Sequence, residues 1–118
     1  MGTGQAVHNL RDFSKCPLRS RLGANHVVMG KPMTYTTPYM EAIQSALHSS
    51  SSSLQSTIDL FEHPLYKKAH PTPEHLLPLV VAAAAAEGEK VEDIFVGVHG
   101  GLSKEKDAGL GWGMWKWH

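Results

Sequence analysis

Apolar residues recur every three to four positions at Tyr39, Met40, Ile43, Ala46 and Leu47, behind a Thr37-Pro38 start signal. This stripe predicts an amphipathic helix over 37–48, because proline is tolerated at the first helical position. The serine tract at 49–53 has nothing to bury and reads as a solvated loop tip. Leu54, Ile58, Leu60, Phe61 and Leu65 repeat the helical spacing, with an interruption at His63-Pro64 and an end by His70. Further on, Thr72 can cap a helix whose first position is Pro73, and the apolar run 76–86 continues to Gly88, a natural stop. A helix apolar on all sides is expected to be buried, with Pro78 kinking its first turns and freeing the Glu74 carbonyl.

Strand signals come later in the chain. Residues 91–98 and 110–117 alternate enough to predict two strands, joined through Gly100, Gly101 and Gly109. At the start, Gly2 and Gly4 suggest a tight turn leading into a short helix or turn over 6–13. A dinucleotide fingerprint does not fit there, since Val7 stands where the third glycine belongs. Pro17, Gly23, Gly30 and Pro32 break every pattern across 16–36, which predicts a long loop with a short extended piece at 26–29. Helices together with strands give a mixed α/β class.

Charge narrows the partners. Eleven Lys plus Arg balance eleven Asp plus Glu among 118 residues, so bulk electrostatics supply no attraction for nucleic acid or an anionic membrane surface. The apolar run 76–86 is shorter than the roughly 20 residues that cross a bilayer. Cys16 is the only cysteine, which excludes an internal disulfide and suits a reducing, cytoplasmic compartment. No patterned partner makes Cys16 a nucleophile. Trp112, Trp115 and Trp117 are expected to pack a terminal strand on the core rather than to stack on bases.

Eight histidines remain as candidate chemistry. His26, His48, His63 and His118 have no suggestive neighbourhood. His75 falls at the expected start of the buried helix, where the positive end of the helix dipole favours the neutral ring that binds metals. A role in satisfying the helix end is the equal alternative. Glu74 beside it is a favourable first-turn charge or holds the tautomer of a ligand. His8, next to Asn9 behind the glycines, is a candidate for acid/base work. His70 and His99 are secondary candidates, expected to be structural.

Three segments carry a family resemblance. Gly2-Thr3-Gly4-Gln5-Ala6-Val7-His8-Asn9-Leu10-Arg11, then His70-Pro71-Thr72-Pro73-Glu74-His75-Leu76-Leu77-Pro78-Leu79, and finally Gly109-Leu110-Gly111-Trp112-Gly113-Met114-Trp115-Lys116-Trp117 occur in the family's order. Together they resemble the class III extradiol ring-cleavage dioxygenases, particularly the single-chain 4,5-DOPA dioxygenase type. The resemblance implies the C-terminal part of that α/β fold, a mixed sheet with packed helices, around non-haem Fe(II), with Zn(II) as the alternative metal. It implies a small catecholic substrate opened with O₂, no nucleic-acid or membrane partner, and a homo-oligomer as an option. His75 matches the family's C-terminal metal ligand. His8 matches the histidine beside the metal, as acid/base or as a metal position, with Glu74 and Asn9 in supporting places. Leu76, Leu77 and Leu79 would form the dry wall of that centre.

The family carries two further ligand histidines in an N-terminal half that the 118 residues do not match. One or two imidazoles bind Fe(II) weakly and cannot enforce its geometry, so little activity is expected of this chain by itself. It reads as a partial dioxygenase domain over 1–118. The alternative is a non-catalytic binding or assembly module that retains half of the dioxygenase fold.

Overall fold

The structure, a computed structural model, describes residues 2–9, 33–99 and 109–118, with side chains described at 6–7, 33–97 and 111–118. In chain order these form β1 (Gly2–Asn9), α1 (Thr36–Leu47), α2 (Ser53–Asp59), a 3-10 turn (Leu60–Glu62), α3 (Tyr66–Ala69), α4 (Leu77–Ala85), β2 (Val91–His99) and β3 (Gly109–Trp117). This is a small α/β domain: three strands in the order β1-β3-β2 with helices packed on them. Both described pairings are antiparallel, so the expected mixed sheet is corrected to an antiparallel one here.

The largest departure from the sequence pattern is β1. A glycine turn and short helix were expected there, whereas Gly2–Asn9 is a strand zipped along β3 from Gly2 opposite Trp115 to Asn9 opposite Gly109. Glycine is depleted in strands, so its local signal is weak. Cross-strand pairing with a segment a hundred residues away decides the conformation. A bulge between Gln5 and Val7 lets the consecutive residues Ala6 and Val7 both be buried. The expected loop over 16–36 and the extended piece at 26–29 lie mostly outside the described residues; the part within them, 33–36, is a turn that enters α1.

Helix α1 follows its apolar stripe: Tyr39, Met40, Ile43, Ala46 and Leu47 are all buried. It lies close on the sheet because Gly111 has no side chain; a Cβ there would stand 2.7 Å from the sulfur of Met40. At Gly113 the same space is filled by the Trp115 ring. The serine tract corrects the simple loop expectation at its end. Ser52 Oγ accepts from Gln55 N–H at 3.1 Å as the N-cap of α2, and donates to Glu87 Oε1 at 3.0 Å. Ser53 is already helical. The interruption at His63-Pro64 occurs as expected, with α3 closing at Ala69.

Helix α4 begins later than the Thr72-Pro73 signal predicts. The Pro73 carbonyl accepts from both Leu76 N–H and Leu77 N–H at 3.0 Å, forming a turn, and the regular helix starts at Leu77. Pro78 therefore sits in the first turn, where no helical donor is required, and no kink arises from it. The expected burial on all sides is also corrected. Leu79 and Ala83 face the core, while Leu77 is 46% and Val81 65% exposed. Gly88 ends the segment with φ of 88°.

Candidate functional site

The three segments that carry the family resemblance meet in space. β1 and β3 pair directly, which joins the first to the third. The second reaches the first through His70, whose Nε2–H donates to the Ala6 carbonyl of β1 at 2.7 Å. His70 is fully buried, so this bond is made in a water-poor setting where its loss would leave a carbonyl unsatisfied. Aromatic rings hold the imidazole in place: Tyr66 stacks at 6.1 Å and Tyr39 meets it edge-on at 5.5 Å. Tyr39 also contacts His63 at 5.3 Å and donates its hydroxyl to the Leu60 carbonyl at 3.1 Å. Burial, and secondarily Tyr66, holds the Tyr39 hydroxyl well above the ordinary tyrosine range, so it stays a donor.

His8 lies on β1 opposite Leu110 of β3, and His99 of β2 faces the same Leu110 from the other side. The sheet thus sets His8 and His99 in one row, two strands apart. The side chains of His8, Asn9 and His99 lie outside the described ones. His75 is placed otherwise than its sequence context predicts. It stands two residues ahead of α4, in an exposed turn, because the Pro73 turn delays the helix. Glu74 is exposed beside it. The dry wall expected around it is likewise corrected: Leu76 and Leu79 are buried in the core and Leu77 faces solvent.

Among the described residues no three His, Cys, Asp or Glu side chains gather into a group that could hold a metal ion. A polar cluster outside the sequence expectations lies where α1 meets β2. Asp93 accepts from Gln44 Nε2 at 3.1 Å, and its other oxygen lies 3.0 Å from His48 Nε2. Gln44 and His48 are one helical turn apart, a spacing visible in the sequence, but their partner 45 residues beyond His48 is not. Of the tryptophans, Trp115 and Trp117 pack into the core as expected, each burying an indole N–H that has no partner among the described residues. Trp112 departs from that expectation and is 42% exposed.

No helix among the described residues is long and apolar enough to cross a membrane. In comparison with known proteins, no protein family, curated protein or solved structure matches the chain.

Proposed function

We propose that the chain carries metal-facing segments of a class III extradiol ring-cleavage dioxygenase, with His8 and His75 directed toward Fe(II), or Zn(II) in its place, and with little turnover by itself. What supports this reading is the meeting of three segments far apart in sequence, through the β1 and β3 pairing and the bond from His70 to Ala6. Such convergence is what a site assembled from distant motifs requires. Bound Fe(II) would supply neighbouring positions for a small catecholic molecule and O₂. On the protein side, His8 would take the proton that leaves a ring hydroxyl, and His75 would offer a ligand nitrogen. Neither Glu74 nor Asn9 would touch the substrate; each would orient the neighbouring histidine. The family's two further ligand histidines, which this chain does not match, and the exposure of His75 would both keep turnover low. The reading places the chain in the cytoplasm, without a nucleic-acid or membrane partner.

Anaerobic calorimetric titration of the full chain with Fe(II) tests the assignment. Weak one-to-one uptake is expected, weakened further by about tenfold or more in His75→Ala, since losing a ligand costs at least what losing its supporting partner does. Absence of uptake, or uptake indifferent to His75→Ala and His8→Ala, would contradict it.

A second reading, a non-catalytic assembly module on the same fold, is favoured by the exposed apolar side of α4 at Leu77 and Val81. A chain that takes up no Fe(II) yet forms a defined oligomer would decide for it.

A further inference from the structure

The two faces of the sheet differ. Gly111, Gly113, Trp115 and Trp117 are buried on the helix side. The intervening residues of β3 are not: Trp112 and Lys116 are exposed and Met114 is half-buried. Register extends this outer face onto β2, where Phe95 stands opposite Met114 and Gly97 opposite Trp112. The Phe95 ring folds over the bare Gly97, since a Cβ there would come within 2.7 Å of Phe95 Cζ. That brings Phe95, 56% exposed, alongside Trp112 on the neighbouring strand. Ile94, the extra residue of the bulge, is 49% exposed next to them. Two large aromatics and two aliphatic side chains gathered on one sheet face are the anchors from which protein interfaces are built.

The rim indicates what such a face fits. Glu92 stands opposite Lys116 in register, and its carboxylate lies 3.7 Å from His118 Nδ1. One acid and its basic neighbours at the same end give a patch of mixed sign, on a chain whose formal net charge is +0. A strongly acidic or nucleic-acid partner would call for one sign. A second copy turned by a two-fold axis brings Lys116 to Glu92 and Glu92 to Lys116, and meets no net repulsion. Strand addition at the β2 edge is disfavoured by the bulge at Ile94 and by two consecutive acids, Glu92 and Asp93.

We propose that this outer face, centred on Phe95 and Trp112, is an isologous interface between two copies of the chain. The proposal deepens the assembly reading by naming its partner and rests on that reading rather than on the metal.

Sedimentation velocity of the full chain across a range of concentrations tests it. The wild type is expected to reach twice the monomer mass. Phe95→Glu and Trp112→Glu should each raise the dissociation constant about thirtyfold or more, the effect of an interface hot spot. Both residues are exposed in the single chain, so far-ultraviolet circular dichroism of each variant should match wild type even as the stabilisation from association is lost; two variants guard against a folding failure in one. Glu92→Lys should weaken the dimer and Glu92→Lys combined with Lys116→Glu should restore it. A wild type that stays monomeric would overturn this interface and leave assembly to the α4 side. A dimer insensitive to Phe95→Glu but dissolved by Leu77→Glu would overturn it too, while keeping the assembly reading.

Discussion

Tyr39 shows how one buried side chain sets a pH dependence. Its hydroxyl ionises with difficulty because burial disfavours the phenolate and Tyr66 adds to the effect. The folded chain therefore holds this proton more tightly than the unfolded one, so the stability it contributes is complete below pH of about 10, the ordinary tyrosine value, and falls as pH rises above that. Urea unfolding from pH 8 to 11 should show this alkaline decline, and Tyr39→Phe should flatten it. At neutral pH the same variant loses the donor to Leu60 and should be less stable by about 1 kcal/mol. The two strand glycines make a contrasting pair. A Cβ at Gly113 would collide with the Trp115 ring, which is buried and cannot swing away, so Gly113→Ala should cost about 1–3 kcal/mol. Gly97 faces the Phe95 ring, which is exposed and free to turn, and Gly97→Ala should stay within about 0.5 kcal/mol of wild type. Equal effects at both positions in a chemical denaturation series would contradict this account.

At the scale of elements, packing is fastened by a few polar ties. Asp93 joins β2 to the C-terminal turn of α1 through Gln44 and His48. These groups are partly exposed, so Asp93→Ala should cost about 0.5–1 kcal/mol rather than unfold the chain. Removing the α2 cap in Ser52→Ala should cost about 1 kcal/mol, read by the same unfolding assay. What was legible in the sequence follows from the range of the forces involved. The α1 stripe, the break at His63-Pro64 and strands β2 and β3 all rest on local periodicity or on proline, and those expectations match. Strand β1 was not legible, because its conformation comes from pairing with β3 and its glycines mimic a turn. The start of α4 was misplaced since Thr72-Pro73 carries a local start signal, whereas hydrogen bonding to the Pro73 carbonyl makes a turn there and the helix begins at Leu77. His70 looked structural in the sequence and is buried, but nothing local could identify Ala6 as its acceptor.

For the whole molecule, the account turns on whether segments that meet in the fold also present their histidines to one metal. Family-like motifs named His8 and His75 from the sequence. The fold supplies the shared scaffold of β1, β3 and the His70 bridge, and exposes His75 more than a buried helix would. The most direct measurement is nuclear magnetic resonance of the full chain with isotope-labelled histidine, titrated with a paramagnetic divalent ion such as Mn(II) in place of Fe(II). Line broadening falls steeply with distance from the ion. The expected result is that the ring signals of His8 and His75 broaden together at the lowest metal concentrations, before those of His48, His63 and His118. If His75 broadens without His8, or if all eight histidines fade in parallel, no common centre exists and the dioxygenase reading is wrong.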